Sequence, residues 1–162
     1  MGYTTTFRGR IEINPPLNEE EIRFINNFSA TRRMDRKKGP YYCGTGFCGQ
    51  DREPDVVDYN EPPKGQPGLW CQWISTSNGK ALVWDGCMKF YNSAEWMKYV
   101  IDHFLKPKCK AIGQPYAKGI IYGGHVLNGR ITAKGEDRGD RWELIVTDNK
   151  VTTKKLKKDA RH

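Results

Sequence analysis

A chain of 162 residues with 28% charged and 12% aromatic residues is long enough to bury a core and too apolar in its pattern to stay disordered. No run approaches the roughly 18 apolar positions of a membrane-spanning helix, and the polar start, Met1 to Arg8, lacks the apolar stretch of an export signal. A cytoplasmic protein with five reduced cysteines is therefore expected, and no membrane partner.

The formal charge of +8 is unevenly spread. From Lys150 to His162, six Lys or Arg against one Asp give +5, which leaves +3 for residues 1–149. A second basic cluster comprises Arg32, Arg33, Arg36, Lys37 and Lys38. The organisation predicted is one domain over residues 1–149, with a flap at 35–68. Residues 150–162 complete a last hairpin and form a basic tail.

Tyr3 to Ile13 alternates, with Phe7, Gly9, Ile11 and Ile13 on one face and Thr6, Arg8, Arg10 and Glu12 on the other, as in a half-buried strand. Asn18 and Glu21 have the spacing of a capping box, with Leu17 positioned to staple onto Ile22, so a helix follows. Its buried stripe is Ile22, Phe24, Ile25 and Phe28. Asp35 to Gly68 has no sustained period and far exceeds the ~15 residues of ordinary loops, so it reads as a flap folded back on the domain.

Gln66 to Gly86 is the centre of the chain. Two strand-like runs flank Asn78-Gly79, a strong signal for a type I′ hairpin. That register sets Trp73 opposite Trp84, Ser75 opposite Leu82 and Ile74 opposite Val83. One face then carries Trp73, Trp84 and Leu82, and the other Trp70, Gln72, Ile74, Val83 and Asp85. A second capping box, Asn92 with Glu95, predicts a helix over 93–105 that buries Trp96, Val100, Ile101 and Phe104. Residues 119–127 read as a strand, followed by Asn128-Gly129 as a turn or as a bend within one strand reaching Lys134. Trp142–Thr147 and Val151–Thr153 make a closing hairpin. The order matches the ferredoxin-like β-α-β-β-α-β arrangement with an added C-terminal hairpin. The fold class expected is α+β, a mainly antiparallel sheet with two helices on one face.

Sheets of this topology can stack bases on the aromatics of their helix-free face. The binding residues expected on that basis are Trp70, Trp73 and Trp84, with Arg32, Arg33 and the tail meeting phosphates. The competing reading makes the tryptophans core. For catalysis the candidates are carboxylates at turns and strand ends, Asp58, Asp85 and Glu136, with the arginines as anion clamps. His103 falls on the polar side of the second helix, and His125 sits near a turn as a possible acid or base. Cys43 and Cys48 are spaced like one zinc ligand pair, but no second close pair accompanies them, so neither metal nor cofactor is expected.

In five stretches the chain resembles a group of small proteins encoded by tailed bacteriophages and scattered bacterial genomes. They are Thr31–Met34 (TRRM), Gln66–Trp73 (QPGLWCQW), Trp84–Gly86 (WDG), Lys89–Tyr91 (KFY) and Gly135–Asp137 (GED). The resemblance implies a phage-type accessory protein in the bacterial cytoplasm, acting against a host system, and it assigns no catalytic residue. Three functions follow as expectations: binding of nucleic acid or a nucleotide, an enzyme acting on a nucleotide-like or phosphorylated substrate, and a protein inhibitor of a host defence factor.

Overall fold

The computed structural model describes residues 3–43 and 53–156. The elements are β1 (Thr5–Asn14), α1 (Glu19–Ala30), β2 (Asp35–Arg36), β3 (Val56–Asp58), β4 (Trp73–Ser75), β5 (Ala81–Trp84), α2 (Ser93–Val100), β6 (Val126–Gly135), β7 (Arg141–Thr147) and β8 (Lys150–Lys155). A π-helical segment, Ile101–Leu105, continues α2, so the helical span matches the predicted 93–105.

Six strands form one antiparallel sheet in the order β4-β5-β1-β6-β7-β8. The connection through α1 passes over β5, and the connection through α2 passes over β1. This is the split β-α-β-β-α-β arrangement, extended at the β6 edge by the β7–β8 hairpin. The strands β2 and β3 pair separately within the flap. No helix among the described residues is long and apolar enough to cross a membrane.

Strand alternation decides what lies on each face. Phe7, Ile11 and Ile13 of β1, Leu127, Ile131 and Ala133 of β6, and Leu144 and Val146 of β7 are buried beneath the helices. Both helices send their apolar stripes into this same core, through Phe24, Ile25 and Phe28 of α1 and Trp96, Met97 and Val100 of α2. Among the described residues, the opposite face of the sheet carries no helix.

Three local expectations are corrected. The register around Asn78-Gly79 is as expected, with Trp73 opposite Trp84 and Ser75 opposite Leu82, but the turn is not type I′. Gly79, at φ 73°, has a positive φ and Asn78 does not. The Gly79 N–H donates to Thr76 O (3.0 Å), and Asn78 Oδ1 accepts from Lys80 N (3.0 Å) and Thr76 Oγ1 (2.8 Å). The Leu17 N–H also docks on Gly79 O (2.9 Å), and a Cβ at residue 79 would strike Leu17. At α2 the capping box is absent. Asn92 is left-handed (φ 59°) and its amide donates to Pro67 O (2.7 Å) instead. Finally, 119–125 is irregular and β6 begins at Val126, running straight through Asn128-Gly129.

His125 explains part of that last change. Its Nδ1 donates to Pro15 O (2.6 Å) and its Nε2 to Glu21 Oε2 (2.7 Å), with both side chains buried. Two acceptors demand two N–H groups, so the ring is an imidazolium. Glu21 uses its other oxygen to complete the capping box with Asn18. Burial pushes the His125 pKa down, but the bonds to Glu21 and Pro15 outweigh it and hold the value above the ordinary 6.5. Burial likewise pushes Glu21 up, and the bonds from His125 and Asn18 outweigh it and hold it below 4.5.

Stability from this pair is fully present between about pH 4.5 and 6.5. It is lost as pH rises through the raised His125 pKa and as pH falls through the lowered Glu21 pKa. His125→Gln leaves a buried carboxylate without its cation, and urea unfolding at pH 6 is expected to show a loss of about 3–5 kcal/mol. The fall in stability on the alkaline side disappears in this variant. An unchanged alkaline fall would contradict the pairing.

Candidate nucleic-acid interface

Trp73 and Trp84 of the central hairpin lie on the helix side. Trp73 is fully buried, and its indole donates to Ser93 O (2.8 Å). Its backbone carbonyl accepts from Ser29 Oγ (2.6 Å), and Ser75 N donates to Asn26 Oδ1 (2.8 Å), so α1 side chains close the β4 edge of the sheet. Trp84 is half-buried against the core and donates to Gln72 Oε1 (3.1 Å). Trp70, at 37% exposure, lies just before β4. Trp73 thus has no surface on which a base could stack, and the core reading of the hairpin holds for it.

The arginines expected as phosphate ligands hold the flap. Arg33 is 3% exposed, with its guanidinium over the Phe28 ring (4.1 Å). It donates to the carbonyls of Thr31 (3.2 Å), Pro40 (3.2 Å) and Tyr42. Burial lowers its pKa to about 10, so it stays charged at neutral pH. Arg32 donates to Tyr59 O (3.1 Å) and lies over that ring (4.0 Å). Arg36, also buried, pairs with Glu53 (3.0 Å) and Asp55 (3.4 Å). Gln66 adds a bond to Pro40 O (2.7 Å) and one to the Tyr99 hydroxyl (2.9 Å). Tyr41 of the flap is buried and bonds His103 Nδ1 (2.7 Å). Burial, with Lys110 nearby, lowers the His103 pKa to about 4, so this ring is neutral. The flap's base therefore folds back on the body as expected. Cys48 and the tail beyond Leu156 lie outside the described residues.

The three carboxylates fall on separate elements. Asp58 ends β3 and caps Asn60 N (2.9 Å); Asp85 follows β5 and caps Cys87 N (2.8 Å); Glu136 follows β6 and accepts from Thr4 N (2.7 Å). Burial raises the Asp85 pKa, opposed by the bonds from Cys87. None of the three lines either concavity described below.

What the fold does assemble is a basic surface on the helix-free face. Cross-strand register brings Thr6, Lys134 and Arg141 into one row, and Arg8, Thr132, Glu143 and Lys154 into the next. A third row contains Arg10, Arg130, Ile145 and Thr152. Thr6, Arg8, Thr132, Lys134 and Arg141 line a concavity of about 340 Å³. Arg10 pairs with Glu12 (3.6 Å) and Arg130 with Glu143 (3.4 Å). Arg8, Lys134, Arg141 and Lys154 have no ion-pair partner among the described residues. Like charges directly opposite on a sheet are destabilising, and Lys134 stands directly opposite Arg141. Arg8 and Arg10 were visible in the sequence as the polar side of β1. The contribution of β6 and β7 becomes visible only once their alternating cations are set in register.

A second concavity, of about 560 Å³, opens on the other face at the same end of the sheet. Its floor is Phe7, Trp142 and Thr153, and its walls include the first turn of α2, Tyr3, Phe90, Tyr91 and Lys155. Asp140 at its rim accepts from the Tyr3 hydroxyl (2.6 Å).

Comparison of the chain with protein-family models, with curated proteins and with solved structures finds no match.

Trp73→Ala empties a fully buried site and is expected to cost about 3–5 kcal/mol in chemical unfolding. Trp70→Ala, at an exposed position, is expected to stay within about 0.5 kcal/mol. Equal costs for the two would contradict this placement of the hairpin.

Proposed function

We propose that the protein binds nucleic acid through the helix-free face of its six-stranded sheet, chiefly by contacts to the phosphate backbone. The observation that carries this reading is the cluster of Arg8, Lys134 and Arg141 around a concavity bearing two threonine hydroxyls, with Lys154 nearby opposite Glu143; none of these four cations has an ion-pair partner among the described residues. A sheet stable without a ligand gains nothing from a lysine facing an arginine. An anion between them turns that repulsion into attraction. Arginine offers a planar fork that matches a phosphate, and lysine and threonine supply further donors. The basic residues from Lys154 onward continue the same charge along the chain. Taken with the resemblance to phage-encoded proteins, this describes an accessory protein acting on nucleic acid in the cytoplasm of a bacterial host.

Backbone binding has a salt signature. With about four phosphates neutralised, log K should fall against log salt with a slope of about −3 for a single strand and about −4 for a duplex. Lys134→Thr and Arg141→Thr are each expected to reduce that slope by about 1. Either change should also raise stability at low salt, by about 0.2–1 kcal/mol, because the facing cations are relieved. Fluorescence anisotropy and urea unfolding on the same samples check both effects. An affinity and slope unchanged in both variants would overturn the reading.

A further inference from the structure

We propose that the aromatic groove on the helix side binds unpaired bases, so that the ligand is a single nucleic-acid strand wrapped over the β8 edge of the sheet. This inference rests on the backbone-binding reading of the opposite face and adds the substrate class.

The two concavities share one end of the sheet and differ only in face. Thr5 and Lys155 line the groove, while their chain neighbours Thr6 and Lys154 belong to the basic face. The outermost strand, β8, has no neighbour beyond it among the described residues. It therefore presents a cation to each side of the edge, Lys154 to one and Lys155 to the other. A strand crossing that edge keeps its phosphates on lysines and arginines and turns its bases toward the groove.

The groove has the chemistry for bases. It falls within the ~300–1,000 Å³ of small-ligand sites. Tyr91 is 55% exposed, and Trp142 is half-buried with Phe7 meeting it edge-on (88°). Aromatic rings presented in this way stack bases without regard to sequence. Asp140 and Glu95 at the rim are acceptors for exocyclic amino groups of a base. Those two carboxylates disfavour phosphate inside the groove, which assigns the bases to this side and the backbone to the other. A duplex, whose bases are already stacked and paired, offers nothing that enters the groove.

The test uses the full chain and three fluorescent 20-nucleotide probes: a mixed-sequence single strand, its duplex, and an abasic strand with the same phosphates. The single strand is run as both DNA and RNA. Binding of a base-bearing strand is expected to be about tenfold tighter than that of the abasic strand. Tyr91→Ala, at an exposed position, should remove most of that difference with its salt slope unchanged, and Tyr91→Phe should retain it. Lys134→Thr should weaken both strands alike. If the abasic strand binds as tightly as the base-bearing one, or Tyr91→Ala leaves their ratio intact, the groove assignment is overturned while the basic face stands. If no probe binds, both readings fall together, and a protein partner for the groove becomes the reading to pursue.

Discussion

The ring of Phe7 meets Trp73, Trp84, Phe90 and Trp142 edge-on, at centroid separations of 5.4, 5.4, 5.7 and 6.1 Å. Each such pair contributes about 0.5–1.5 kcal/mol beyond the area it buries. Four rings arriving at one side chain from β4, β5, β7 and the segment before α2 fix which way each strand faces. Because side chains alternate, a one-residue slip would expose the whole cluster. Helices α1 and α2 cover this side, and the opposite face carries Arg8, Arg10, Lys134 and Arg141.

That polarity separates two kinds of residue which share a short stretch of sequence. Beneath the helices, the cations and polar groups that remain are structural. Arg33 is held by three carbonyls and an aromatic face, and Glu21 and His125 tie the start of α1 to the approach to β6. On the uncovered face, Arg8, Lys134 and Arg141 line one concavity, and the nearby Glu143 pairs with Arg130. The same charge is therefore part of the fold in one place and, among the described residues, without an ion-pair partner in the other. The difference is one of burial and partners, not of residue type.

Much of the architecture was legible in the chain. The alternation of β1, the Asn18–Glu21 capping box, the tryptophan register of the hairpin and the order of the elements all follow from local periodicity and turn chemistry, and the six-stranded sheet confirms them. Turn type and the second helix cap were less legible, because distant groups decide them: Leu17 docks on Gly79, and Pro67 takes the Asn92 side chain. The site was least legible. A hairpin rich in tryptophan looks the same whether its rings face the core or the solvent, and only Phe7 with Ser93 decides it for Trp73. Lys134 and Arg141 are seven positions apart and unremarkable until β6 and β7 pair. Arg32 and Arg33 stand out in the sequence as part of a basic cluster, yet the carbonyls of the flap occupy them.

The proposed binding surface is the uncovered face of the sheet, and not the tryptophan hairpin. Backbone amide NMR during titration with a single-stranded oligonucleotide tests it most directly. The largest shift changes are expected at Arg8, Thr132, Lys134 and Arg141, with the Trp73 indole resonance unmoved. Changes centred on residues 70–84, with β6 and β7 silent, would contradict it.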